Sequence, residues 1–189
     1  MKRILVLGDS LSAGLWLKPS QAYPALLTEK LRAAGLDFEI TNASQSGGTT
    51  EEGLERLPKH LKPKVDIFIL ELGVNDVLWG LPIDEIRSNL QKIIGRLRET
   101  SPNVRMIICG MQLPNQAADD YVSGFGQMYA DLAAKNNATL VPFILAGVAG
   151  VPNLTLADHL HPNAAGQKIL AQNVWRVLEP IARQVAAQH

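Results

Sequence analysis

Val65-Asp66-Ile67-Phe68-Ile69-Leu70-Glu71-Leu72 carries four consecutive large apolar side chains at its centre. A strand with one face in water alternates apolar and polar residues, and Ile67-Phe68-Ile69-Leu70 does not. Such a strand must be covered on both faces, as in a parallel sheet between two layers of helices. Working outward, similar short apolar runs occur at Ile4 to Leu7, Phe38 to Thr41, Val104 to Cys109 and Thr139 to Phe143, giving five expected strands. Between and after them lie amphipathic segments at Tyr23 to Ala34, Thr50 to Leu61, Ile83 to Thr100, Asp120 to Asn136 and Asn163 to Ala187. Strand and helix alternate, so the expected fold class is α/β, a three-layer αβα sandwich.

The 189 residues suit a single domain, 1–189, with one sizeable core and one active site. No repeat, low-complexity tract or linker divides the chain; its irregular stretches are 113–118 and 146–160. At 47% hydrophobic and 19% charged the composition is that of a globular protein. Its 18 basic and 18 acidic residues cancel, so no net field draws in nucleic acid or an anionic membrane, and a neutral or weakly charged small substrate is expected. The single cysteine, Cys109, lies in the apolar run Met106-Ile107-Ile108-Cys109 and reads as a buried structural thiol. Lys2-Arg3 before Ile4 to Leu7 resembles the start of a signal peptide, but the apolar run stops at Gly8-Asp9 and reads as the first strand. No run approaches the roughly 20 apolar residues of a membrane span. The reading is therefore a soluble domain, cytoplasmic as the sequence stands, periplasmic or secreted if a leader has been removed.

Ligands of open parallel sheets bind beyond the carboxyl ends of the strands. Three polar clusters share that edge: Gly8-Asp9-Ser10 after the first strand, Asn42 to Gly48 after the second and Gly73-Val74-Asn75-Asp76 after the third. Ser10 opens a helix, where its hydroxyl and N–H face the crevice. A serine hydroxyl needs a base to attack an acyl carbon. Of the four histidines, His60 in Lys59-His60-Leu61-Lys62 and the last residue, His189, read as solvated. In Asp158-His159-Leu160-His161-Pro162 a carboxylate precedes His161 by three residues, a separation that one turn can close into an Asp–imidazole hydrogen bond. Ser10, His161 and Asp158 are thus the candidate catalytic residues, with Pro162 and Asn163 starting the last helix. Gly47 offers an N–H with no side chain in the way, and Asn75 a carboxamide, so with the N–H of Ser10 they make a candidate oxyanion hole. Trp79, Leu81, Leu113 and Leu160 are candidate substrate-binding residues; the competing reading of these side chains is that they pack loops onto the core.

Gly8-Asp9-Ser10-Leu11-Ser12, Asn42-Ala43-Ser44-Gln45-Ser46-Gly47, Gly73-Val74-Asn75-Asp76 and Asp158-His159-Leu160-His161-Pro162 together resemble, in order and spacing, the four blocks of SGNH (GDSL-like) hydrolases. The chain is most similar to the bacterial arylesterase, lysophospholipase and acyl-CoA thioesterase I group. That resemblance implies a flavodoxin-like five-stranded sheet of order 2-1-3-4-5. It also implies Ser10 as nucleophile, Ser10, Gly47 and Asn75 as oxyanion donors, and His161 with Asp158 completing a triad, Asp9 and Asp76 being structural neighbours. Gly48 stands where the group usually has aspartate, and Val74 where it has a small residue. Leu113-Pro114-Asn115-Gln116-Ala117-Ala118 departs from the group's Leu-Pro-Pro-Asn-Tyr-Gly pattern, which leaves its long-chain specificity unsupported here.

The expected activity is that of a carboxylesterase or arylesterase, hydrolysing short- to medium-chain acyl esters through an acyl-enzyme, with no cofactor, metal or partner protein. The alternatives are an acyl-CoA thioesterase or lysophospholipase, then a carbohydrate O-deacetylase. Outside enzymes, a flavodoxin-like module holding a phosphorylated ligand at the same sheet edge is the alternative. A metal at Asp158-His159-Leu160-His161 lacks further placed ligands.

Overall fold

The computed structural model describes residues 1–113 and 120–188. Strands β1 (Lys2–Gly8), β2 (Phe38–Asn42), β3 (Ile67–Glu71), β4 (Arg105–Cys109) and β5 (Thr139–Val141) pair in parallel in the order β2-β1-β3-β4-β5. The helices are α1 (Ser10–Ala13), α2 (Tyr23–Ala33), α3 (Thr50–Arg56), α4 (Val74–Leu78), α5 (Ile83–Thr100), α6 (Asp120–Lys135) and α7 (Ala164–Ala186). They cover both faces of the sheet, and every residue of β3 is buried, as its unbroken apolar run requires.

Right-handed crossovers explain the layering. The chain moves one way along the sheet from β1 to β2 through α2 and the other way in every later step. Accordingly α2 packs with α7, and α5 packs with both α3 and α6. Helix α5 buries Ile86, Leu90, Ile93, Ile94 and Leu97, the three-to-four-residue spacing of a single helical face. Each such fully buried aliphatic side chain contributes about 1.5–3 kcal/mol. Cys109 is free and buried in the same core.

Three boundaries differ from expectation. β5 stops at Val141 because Pro142 has no N–H to give a ladder. The third helix ends at Arg56 and tightens into a 3-10 turn at Leu57–His60, where Pro58 removes a donor. The short helix α4 was not anticipated. Among the described residues no helix is long and apolar enough to cross a membrane.

The change of direction at β1 makes the crevice. Chain leaving β1 and chain leaving β3 diverge at adjacent strand ends, Gly8 being paired in register with Glu71.

Candidate active site

Asp9 caps α1, its carboxylate accepting the Leu11 N–H at 2.9 Å, which makes Ser10 the first residue of that helix. Gly8 is required just before it: a Cβ there would lie 2.3 Å from Ser12 Oγ and 2.7 Å from Glu71 Oε2. Ser10 is 7% exposed.

The loop before α7 carries Asp158 and His161. Thr155 and Pro162 form an antiparallel bridge, Leu156 N–H donates to the His161 carbonyl at 2.7 Å, and Asn163 N–H donates to Leu154 O at 2.9 Å. Asn163 caps α7 by accepting from Ala165 and Gly166 N–H, while its amide donates to Asn153 O and Thr155 O. Pro162 therefore precedes the cap and belongs to the bridge, not to the first turn of the helix. Within this hairpin the Asp158 carboxylate accepts from Leu160 N–H at 2.9 Å and His161 N–H at 3.0 Å, and its second oxygen lies 2.6 Å from His161 Nδ1. These bonds, the Leu160 N–H foremost, hold Asp158 well below the usual carboxylate range, at about 2. With the Nδ1 proton given to Asp158, Nε2 is an acceptor, and it stands 2.9 Å from Ser10 Oγ. The three residues proposed from spacing are thus in one hydrogen-bonded line.

Gly47 sits in the left-handed region (φ 76°) with open space on its side-chain side. Neither its N–H nor that of Ser10 makes a loop or cap bond among the described residues. The Asn75 amide donates to Gly48 O at 3.0 Å and, over a longer 3.3 Å, to Asp9 Oδ2. That anchoring places Asn75 beside Asp9, the cap of the helix that Ser10 opens.

Beneath Ser10 lies a buried carboxyl pair. Asp9 and Glu71 lie together there, Glu71 Oε2 accepting from Ser12 Oγ at 2.7 Å and from Asp9 N–H at 3.2 Å. Ser12 Oγ lies 2.9 Å from the buried Tyr23 hydroxyl. Burial raises Asp9 to about 6, and burial together with the Asp9 charge pushes Glu71 well above its ordinary value. Asp76 is structural: its carboxylate accepts from Thr50 N–H and Thr50 Oγ1 at the start of α3.

Of the apolar candidates, Trp79 (76% exposed) and Leu160 (67%) stand in solvent, whereas Leu81 and Leu113 are partly buried against the core. Residues 114–118 of the divergent loop lie outside the described residues, as does His189. His159 is exposed with φ 58° and contributes nothing to the line of three. His60 is half-buried in its 3-10 turn, not fully solvated.

Sequence reasoning did not find Glu71, Gln167 or Trp16. Glu71 is a lone polar residue ending a buried strand, which is a usable signal for a charge with a task. Gln167, 1% exposed, accepts from Tyr23 N–H and donates to Leu11 O, and nothing in its helical surroundings sets it apart. Trp16 has no sequence signal at all; it stands 74% exposed with its ring centroid 6.3 Å from that of His161.

A sequence profile of the GDSL-like lipase/acylhydrolase family matches residues 6–169. Esterase TesA of Pseudomonas aeruginosa is 39% identical over 94% of this chain and 88% of its own length. An arylesterase of Vibrio mimicus is 37% identical, with the same shares. The thioesterase 1/protease 1/lysophospholipase L1 of Escherichia coli K12 is 34% identical over 94% of this chain and 84% of its own. The crystal structure of TesA superposes with a TM-score of 0.89 at 39% identity, covering 95% of this chain and 99% of that one. The parallel sandwich with its polar sheet edge is the framework of a hydrolase. The chain belongs to the GDSL-like lipase/acylhydrolase family, within the SGNH hydrolases.

Proposed function

We propose that the protein is a serine carboxylic ester hydrolase acting on short- to medium-chain acyl esters. The observation that carries this reading is the continuous line Ser10 Oγ, His161 Nε2 (2.9 Å) and His161 Nδ1, Asp158 Oδ2 (2.6 Å) at the mouth of the crevice. His161 takes the Ser10 proton as Oγ attacks the acyl carbon, which becomes tetrahedral while its carbonyl oxygen becomes an oxyanion. The N–H groups of Ser10 and Gly47 and the Asn75 amide receive that charge, one good donor being worth about 3–4 kcal/mol. The C–O bond then breaks, His161 gives the proton to the leaving alkoxide, and the acyl group remains on Ser10. A water deprotonated by His161 attacks the acyl-enzyme, the bond from the acyl carbon to Ser10 Oγ breaks, and His161 returns the proton to Ser10 as the acid leaves. Trp79 and Leu160 supply exposed apolar contact for the substrate, backed from the core side by Leu81 and Leu113. The ionised Asp158 holds the imidazole tautomer and balances its charge.

Hydrolysis of p-nitrophenyl esters from acetate to palmitate by the parent, Ser10→Ala and His161→Ala tests this. Activity in the parent that is abolished in both variants, with unchanged thermal unfolding, is the expected result. No turnover of any ester, with turnover of an acyl-CoA or a sugar acetate, would replace the substrate class. No turnover of any acyl compound would replace the enzyme with a binding module.

A further inference from the structure

We infer that Trp16 is a specificity-determining residue on the leaving-group side of the site, favouring esters of aromatic alcohols over those of small aliphatic ones. This inference rests on the esterase reading above and names which end of the ester meets the indole.

Trp16 follows the left-handed cap Gly14 of α1 in a turn closed by Leu17 N–H to Gly14 O at 3.0 Å. Its own φ is 59°, a left-handed backbone that bulky side chains rarely adopt. No hydrogen bond of its indole is found among the described residues, and core packing does not account for a ring that is 74% exposed. The contact it does make is with His161: the two ring centroids are 6.3 Å apart, tilted by 57°. An uncommon backbone thus holds a large flat apolar face in water beside the general acid.

The mechanism says what occupies that place. His161 Nε2 must reach the leaving oxygen to protonate it, so the alcohol portion of the ester lies next to the imidazole. The proposed oxyanion donors include Asn75, which is tied to Gly48 and Asp9. Trp79 goes with them, one turn beyond Asn75 with its N–H on the Asn75 carbonyl. Trp79 therefore flanks the Asn75 side and Trp16 the His161 side. A phenyl ring leaving from Ser10 finds the indole within stacking or edge-to-face range, whereas an ethyl group gains little there.

The experiment compares kcat/KM of the parent, Trp16→Ala and Trp16→Phe on phenyl acetate, trifluoroethyl acetate, and p-nitrophenyl acetate and octanoate. Trp16→Ala is expected to lose about 5- to 10-fold on phenyl acetate, the size of an aromatic pair contact, and less than about 2-fold on trifluoroethyl acetate. The octanoate-to-acetate ratio should not change, Trp16→Phe should retain most of the parent's preference, and phenol should inhibit Trp16→Ala more weakly than the parent. Equal losses on both acetates, or a changed octanoate-to-acetate ratio, would overturn the inference while leaving the esterase reading intact. A parent that hydrolyses none of the four would overturn both.

Discussion

Gln167 Nε2 donates to the Leu11 carbonyl at 3.0 Å, joining the first turn of the helix that follows His161 to the residue after Ser10. The other end of the same amide accepts from Tyr23 N–H at 2.8 Å, so all of its bonds lie inside the protein. The 151-residue separation between Ser10 and His161 is thereby bridged by one buried side chain.

Gln167→Leu should cost about 1–3 kcal/mol, because it orphans a buried carbonyl and a buried N–H. If Gln167 positions the two helices, kcat falls while KM changes little at a temperature where the variant remains folded. A loss confined to the melting temperature would make it merely structural. Denaturant unfolding and steady-state kinetics on one ester separate the two.

Asp158→Asn should leave the fold intact yet lower kcat by about 10³- to 10⁴-fold, since an amide at that position no longer enforces the Nδ1–H tautomer. Because Asp158 is held near 2, the parent keeps this carboxylate ionised at pH values well above 2. Far-UV circular dichroism with single-turnover kinetics is the check.

Asp9 holds its proton to about 6 in the folded chain against 3.8 unfolded, and Glu71 is displaced in the same direction. Folding therefore takes up protons between those limits, and the stability this contributes is complete below the unfolded value and lost as pH rises through about 6. Glu71→Gln keeps an acceptor for Ser12 and a donor for Asp9 while removing one titrating group. Its unfolding free energy should decline less between pH 4.5 and 7 than the parent's, measured by urea titration. Glu71→Ala should cost about 1–3 kcal/mol at any pH in this range.

Gly8→Ala should destabilise by about 1–3 kcal/mol, because the new methyl group meets Ser12 Oγ and Glu71 Oε2 inside van der Waals contact. Gly73→Ala faces both a φ of 128° and a Tyr129 hydroxyl 2.5 Å from the added carbon. Melting temperatures of the two variants check the order, with Gly73→Ala the worse.

Much of this architecture is legible in the chain because burial on both faces erases alternation, as in Ile67-Phe68-Ile69-Leu70, and parallel pairing follows from the helices between strands, while the strand order comes from the resemblance. The approach of Asp158 to His161 is legible too, since three residues are a local matter. What joins them to Ser10 is not: Gln167 lies in a helix whose pattern merely says amphipathic, and Glu71 announces a buried charge without naming its partner. Trp16 is the extreme case, because its value depends on a backbone angle that no periodicity encodes. The boundaries missed at Arg56 and Val141 are where a proline just beyond overrides the propensity of the run.

Ser10 lies on the first strand-to-helix turn and His161 just before the last helix, with four strands between them. On the proposed roles, a growing chain exposes its nucleophile long before its base exists, and remains chemically silent until α7 docks. Regain of turnover during refolding is consequently a clock for completion of the whole sheet, and should never run ahead of the signal from the core.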